Sequence, residues 1–456
     1  MTSTSPPRQA RHAVAAPAPR RRSTAAWVLA LGWAGAAAVL GLWWHDTTAV
    51  VGSTDWLLGA GRISGLLAGY CCALLMLLMA RIPALETGVG SDRVARWHAM
   101  AGRYTVCLLV AHIVLILWGY AAQSHAAVLS ESWTVVWTYP EMRKATLGGL
   151  LLLLVGAVSV RAARRRMRYE VWYYLHLLTY VAIFLAFWHQ LALGADFAAG
   201  GAAKAFWYAL YAAAAGAVLW YRVLGPVRLN LRHRLRVHSV VPEAPDVVSI
   251  VVRGERLRHL GARSGQFLRW RFLAPGLWWT ANPYSLSAAP RPDLLRITVK
   301  AVGGHSAALA RLRPGTRIWA EGPYGGLTAD RRTRRKVLLL AGGVGVTPLR
   351  ALFESLPAGP GDLTLVYRAR SAADLALRRE LESIAAVRGA RLIFALNGPD
   401  GRRPALTADG LRAALPDIAR HDVYLCGPPG MADAGYEALR AAGVPARHIH
   451  HESFEL

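Results

Sequence analysis

The chain has 456 residues, room for two or three domains, and 54% of them are apolar. It carries 53 Lys and Arg against 27 Asp and Glu, a formal net charge of +26. That charge suggests nucleic acid, but its basic clusters flank apolar runs, which excludes such a partner. The four cysteines, Cys71, Cys72, Cys107 and Cys426, have no spacing for a zinc site, an iron–sulfur cluster or structural disulfides.

Residues 1–26 are rich in Pro, Ala, Ser and Arg and are expected to form a disordered cytoplasmic tail. Apolar runs follow at 27–44, 60–80, 99–121, 145–160, 170–193 and 204–224, each long enough or nearly so to cross a bilayer. We read six helices of a multi-pass cell-membrane protein, with both ends of the bundle cytoplasmic. Basic clusters lie at alternate helix ends: Arg20 to Arg22; Arg81, Arg93 and Arg96; Arg161, Arg164, Arg165, Arg166 and Arg168; and Arg222, Arg228, Arg232 and Arg234. The intervening loops, 45–59 and 121–142, carry Asp46, Asp55, Glu131 and Glu141 but no Lys or Arg. This is the positive-inside pattern, and the lipid bilayer is the expected partner.

Four histidines stand in two of these segments, His98 and His112 fourteen apart, His176 and His189 thirteen apart. Ionisable residues within a membrane are costly and functional by default, and imidazole is the commonest axial ligand of electron-carrying haem. Fourteen residues of helix rise ~21 Å, most of a ~30 Å hydrocarbon core, so two such helices can hold one haem near each membrane face. A step of fourteen returns within about 40° of the starting face, whereas thirteen misses by about 140°. The second helix must therefore bend, bulge or present its two rings from different sides.

Beyond residue 224 the pattern turns to short strands, such as Val247–Val252 and Leu294–Val299, separated by Gly and Pro turns. A small antiparallel barrel is expected over 229–330. The basic run Arg331, Arg332, Arg334, Arg335, Lys336 reads as a solvated linker. After it, strand-like runs (Val337–Ala341, Leu363–Tyr367, Arg391–Ala395, Val423–Cys426) alternate with helical stretches, the pattern of a parallel α/β sheet over 331–456.

Asn282-Pro283-Tyr284-Ser285-Leu286-Ser287 resembles the flavin motif of the ferredoxin–NADP reductase superfamily. The resemblance implies that Tyr284 packs on the isoalloxazine and that Ser285 hydrogen-bonds near its reactive N5. Asn282 stands where the family usually has Arg or His, which removes a positive charge from the flavin diphosphate. Lys300, then Gly303-Gly304-His305-Ser306 and a helix-like run, resemble the family's phosphate-binding element. Glu321-Gly322-Pro323-Tyr324-Gly325 resembles the turn that closes the barrel. Gly342-Gly343-Val344-Gly345-Val346-Thr347-Pro348 comes between a strand and an apolar helix, where glycines let a dinucleotide phosphate approach. Cys426-Gly427-Pro428-Pro429-Gly430-Met431 resembles the family's second nicotinamide-side loop. By the same resemblance Phe454 is the C-terminal aromatic that nicotinamide displaces from the flavin. Arg368 or Arg370, after the strand Leu363–Tyr367, would pair with the 2′-phosphate of NADPH in preference to NADH.

Past its tail the chain resembles the ferric reductase/NADPH oxidase superfamily: a transmembrane haem domain (27–224), then FAD-binding (229–330) and NAD(P)-binding (331–456) domains. The resemblance implies FAD, two b haems and NADPH or NADH as cofactors. It places the inner haem on His98 and His176 and the outer on His112 and His189. It implies an enzyme passing electrons from cytoplasmic NAD(P)H to a small extracytoplasmic one-electron acceptor, ferric chelate or O₂. Arg62 matches the arginine that oxidases of the superfamily carry at the outer end of helix two, while Ile116 replaces an oxidase-type histidine. Ferric reduction and superoxide formation both stay open, with ferric iron ahead. Two further classes are a haem-free, membrane-anchored flavin reductase serving a protein partner, against which the histidine spacing speaks, and a haem sensor, which leaves the nucleotide motifs unexplained.

Overall fold

The computed structural model describes residues 21–47, 52–160, 166–167, 169–194, 197, 201–398 and 406–452. It forms two compact units, Arg22–Gly326 and Leu327–Leu456. The tail expected over 1–26 lies outside the described residues up to position 20, and from Arg21 the chain is already helical.

The first unit begins with helices α1 (Arg21–Asp46), α2 (Ser53–Met79), α3 (Pro83–Gly88), α4 (Ser91–Ser124), α5 (Val128–Thr138), α6 (Met142–Ser159), α7 (Tyr169–Leu193) and α8 (Gly201–Val218). A π-helical stretch, Leu219–Leu224, and α9 (Gly225–His233) continue α8. Among the described residues, six stretches are long and apolar enough to cross a membrane: Thr24–His45, Ser53–Met79, Arg93–Ser124, Met142–Ser159, Val171–Leu193 and Gly201–His233. Their surfaces confirm the solvent they need, since Leu31, Trp33, Leu150 and Phe184 are all exposed. A helix apolar on every face is stable in lipid, not in water.

Close helix packing rests on small residues. A Cβ at Gly148 of α6 would lie 2.6 Å from the carbonyl oxygen of Ala182 on α7, so these two backbones meet directly. The segment 121–142, read as a plain loop, contains α5, whose Leu129, Trp133 and Trp137 are exposed. An amphipathic turn set with tryptophans is suited to the lipid headgroup level.

Six strands follow: β1 (Arg236–Ala244), β2 (Val247–Arg253), β3 (Phe267–Phe272), β4 (Asn282–Ser285), β5 (Leu294–Lys300) and β6 (Ile318–Tyr324). They form two antiparallel three-stranded sheets, β1-β2-β5 and β4-β3-β6. Bridges Arg236↔Arg317 and Leu286↔Ile297 close them into a barrel. Alternation along β3 sends Leu268, Trp270 and Phe272 into the core, where each is fully buried; such burial is worth about 1.5–3 kcal/mol per side chain. Of the Glu321–Gly325 segment, expected as a closing turn, Glu321–Tyr324 is the end of β6 and Gly325 follows the strand. The last membrane helix is bolted to this barrel. Asn230 of α9 donates to Ala320 O at 2.8 Å and accepts from Ala320 N at 2.8 Å, mimicking a strand partner.

The second unit holds β7 (Lys336–Gly342), β8 (Leu363–Ala369), β9 (Arg391–Leu396), β10 (His421–Cys426) and β11 (Ile449–His451) in one parallel sheet, order β11-β10-β7-β8-β9. With α10 given to the short turn Gly304–Ala308, its helices are α11 (Val346–Ser355), α12 (Arg378–Arg388), α13 (Ala408–Ala414) and α14 (Pro429–Ala441). Apolar clusters cover both faces of the sheet. The chain order reverses between β7 and β10, and in doubly wound sheets ligands bind at the carboxyl ends of such a switch point.

The run 331–336 is not the solvated linker its composition suggests. Asp422, fully buried at the start of β10, accepts from the backbone N–H of Thr333 (2.5 Å) and Arg334 (2.7 Å) and from His448 Nδ1 (2.9 Å). Lys336 pairs with Asp417 at 2.5 Å and Arg335 with Asp362 at 3.2 Å. Burial alone would raise the Asp422 carboxyl, but hydrogen bonds from His450, Thr333, Arg334 and His448 outweigh it and hold the group well below the usual carboxylate range.

Candidate functional site

The four histidines come together in the predicted pairs. The rings of His98 and His176 have centres 6.0 Å apart, and those of His112 and His189 are 6.3 Å apart. A metal–imidazole bond of about 2 Å, with about 1.1 Å more to the ring centre, puts two axial rings about 6.3 Å apart across one metal. The pairs thus fit an iron between them. Helix α7 is continuous from Tyr169 to Leu193, without bulge or break, so His176 and His189 reach their partners from different sides of it.

The neighbours of the rings sharpen the fit. His112 Nδ1 lies 2.8 Å from Gly61 O, and a carbonyl only accepts, so Nδ1 carries the proton and Nε2 keeps its lone pair for a ligand. Gly65, one turn along α2, leaves room for this ring, since a Cβ there would sit 2.5 Å from His112 Nδ1. At the other pair, His176 Nδ1 is 3.3 Å from Ser159 Oγ, and Trp172 stacks on the ring at 5.1 Å. Arg62 is exposed and follows Gly61 directly. Ile116 seats its side chain against Gly61, so it brings neither charge nor proton to this end of the bundle.

In the barrel, Pro283, Tyr284 and Ser285 lie on β4, which pairs with β3 (Leu268↔Tyr284, Phe267↔Ser285). Trp270 Nε1 donates to Tyr284 O at 3.0 Å, fixing the strand. Burial pushes the Tyr284 phenol up to about 12, so a flat neutral wall is available there. Lys300 ends β5. The phosphate-binding element is smaller than expected: α10 has five residues, and Ser306 Oγ accepts from Val302 N (2.9 Å) and Gly303 N (3.1 Å). Ser306 therefore shapes the loop that exposes Gly303 and Gly304.

In the nucleotide unit the two glycine loops meet at the switch point. A Cβ on Gly345 would lie 2.3 Å from the backbone oxygen of Cys426, so only glycine permits that approach, and one on Gly342 would lie 2.0 Å from Met431 Sδ, a side chain that would have to shift. Gly343 takes φ +53°, which also favours glycine. Thr347 Oγ1 donates to Val344 O at 2.8 Å and Pro348 is buried in the first turn of α11, both stabilising the loop. Cys426 is fully buried at the end of β10 before Gly427 and Pro428, and burial pushes its thiol far up. It offers a neutral wall, not a thiolate. Arg368 on β8 stands opposite Gly342 in the ladder, and Arg370 is exposed just beyond the strand end. Phe454 lies outside the described residues.

Comparison with known proteins accords with both halves. Residues 64–187 match the ferric reductase like transmembrane component family, and residues 339–436 match the oxidoreductase NAD-binding domain family. The ferredoxin reductase component of 3-ketosteroid-9-alpha-monooxygenase from Mycolicibacterium smegmatis is 32% identical over 48% of this chain and 65% of its own length. A flavohemoprotein from Xylella fastidiosa is 29% identical over 48% of this chain and 58% of its own length. The stachydrine N-demethylase reductase subunit Stc4 of Rhizobium meliloti is 32% identical over 47% of this chain and 64% of its own. The chain thus spans less than two thirds of each of these relatives. A ferric reductase like transmembrane component followed by an oxidoreductase NAD-binding domain matches the ferric reductase/NADPH oxidase architecture that the sequence resembles.

Proposed function

We propose that the chain carries electrons from cytoplasmic NAD(P)H through FAD and two b haems to a one-electron acceptor on the extracytoplasmic side, a ferric chelate. The observation that carries this reading is the pairing of His98 with His176 and His112 with His189 at 6.0 and 6.3 Å, an iron's width in each case. His98 with His176, and His112 with His189, would each hold a haem, which would supply one-electron chemistry there. Gly61 O and Gly65 orient His112, while Ser159 and Trp172 orient His176. Tyr284 and Ser285 would wall the flavin ring, and the loops 342–345 and 426–428 would admit the nicotinamide dinucleotide. Arg62 would attract an anionic chelate. The positive-inside pattern supports a cytoplasmic placement of both termini.

Superoxide formation is the second reading, favoured by Arg62 alone, since Ile116 brings no proton or charge. A haem-free reductase serving a protein partner is the third, and the relatives named as the reductase component of a monooxygenase and the reductase subunit of an N-demethylase favour it. Proteoliposomes loaded with NADPH separate the first two. Fe(II) trapped outside under strict anaerobiosis supports ferric reduction. Fe(II) that needs oxygen and disappears with superoxide dismutase makes the protein an oxidase.

A further inference from the structure

The flavin motif lacks its cation at Asn282, and the structure shows where compensating charge lies. A cavity of about 100 Å³ opens between the barrel and the start of α7, with Asn282 on its wall beside Arg269, Arg271, Arg222 and Glu321. Pockets that hold drug-sized molecules begin at about 300 Å³, so this one takes a phosphate-sized group and not a whole dinucleotide.

Arg269 and Arg271 occupy alternate positions on β3, on the face opposite the buried Leu268, Trp270 and Phe272. Arg269 stands across the ladder from Pro283, one residue from Asn282. Arg269 Nη2 donates to Ala281 O at 3.0 Å and Arg271 Nη1 to Trp278 O at 3.3 Å, which aim both guanidinium groups. Their Nε atoms are buried with no hydrogen-bond partner among the described residues. Buried charged donors left in that state carry a desolvation penalty that an arriving acceptor removes. Arg222 enters from the π-helical stretch of the last membrane helix, and Glu321 is its partner at 3.9 Å. Three guanidinium groups against one carboxylate leave two positive charges around the cavity. A dinucleotide's diphosphate carries two negative charges and accepts from fork-shaped donors.

We propose that Arg269 and Arg271 of β3, with Arg222 as third cation, bind the diphosphate of the flavin dinucleotide in place of the charge absent at position 282. The assignment rests on the proposed FAD site. It makes the diphosphate a link between the barrel and the last membrane helix.

The test uses full-length protein, stripped of flavin in neutral detergent, titrated with FAD and with riboflavin, which has no phosphate. Arg269→Gln with Arg271→Gln should raise the Kd for FAD about tenfold to a hundredfold and leave that for riboflavin within about threefold. Adding Asn282→Arg to that double variant should recover most of the FAD affinity. Unchanged FAD affinity in the double variant overturns the assignment and leaves the flavin reading standing. Equal loss of FAD and riboflavin also overturns it, because the effect is then not the diphosphate's. A wild type that binds no FAD brings down the flavin reading itself.

Discussion

Gly65→Ala should disable the His112–His189 pair without touching the His98–His176 pair. The added Cβ would lie 2.5 Å from His112 Nδ1 and 2.7 Å from Cε1. Ordinary contact begins at 3.4 Å, so the ring must retreat by about 0.9 Å. Ligand distances tolerate only about 0.2 Å. The retreat also breaks the 2.8 Å hydrogen bond to Gly61 O, and loss of such a supporting bond typically costs 10- to 100-fold in metal affinity. Haem content and low-spin absorbance of the purified variant should fall from two per chain towards one. Gly102→Ala on α4, where a Cβ meets nothing within 4 Å, is the matched control and should change neither. A Gly65→Ala protein that keeps two low-spin haems with unaltered spectra would refute the placement of His112 as a ligand.

His98→Ala or His176→Ala should remove one haem, and His112→Ala or His189→Ala the other; a single variant keeping both, by pyridine haemochrome assay, removes that histidine from the ligand set. Tyr284→Ala with Ser285→Ala should weaken FAD binding in titration while leaving haem content unchanged. If Arg370 meets the 2′-phosphate, Arg370→Ala should raise KM for NADPH about tenfold to a hundredfold more than KM for NADH; equal effects leave it a surface residue. Asp422→Asn should loosen the strap at 331–336, so that trypsin cuts there about tenfold faster or more, from bonds worth about 1.5–3 kcal/mol. Because the folded carboxyl is held below its unfolded value, its contribution is complete above about pH 4 and is lost only as pH falls further. Denaturant midpoints that already drop between pH 7 and pH 5 in step with this group would contradict that sign.

The parts legible in the sequence are those with a local signature. Six apolar runs announce the membrane helices, because lipid tolerates no polar interval. The spacing of the four histidines foreshadows their pairing and leaves α7 to bend, bulge or use two sides, and the continuous helix takes the last course. Glycines 342, 343 and 345 declare a tight strand-to-helix turn, and the structure adds the reason: Cys426 O and Met431 Sδ fill the space a side chain would take. What stayed hidden depends on partners distant in sequence. Asp422 captures Thr333 and Arg334 from 89 and 88 residues away, so a basic run reads as solvated until the sheet is assembled. Arg269 and Arg271 look like ordinary outward-facing strand residues. Only the approach of α7 and the last membrane helix turns their face into a cavity wall, although alternation along Phe267–Phe272 did offer a faint hint. The π-helical placement of Arg222 likewise has no sequence mark.

The most direct test of the account is the difference spectrum of the purified, lipid-reconstituted protein, NADPH-reduced minus oxidised, taken with haem and flavin content per chain. Two low-spin b haems per chain, both reduced by NADPH only when FAD is present, are the predicted result. A protein that carries FAD and oxidises NADPH yet holds no haem would contradict it, and would leave the six helices as an anchor.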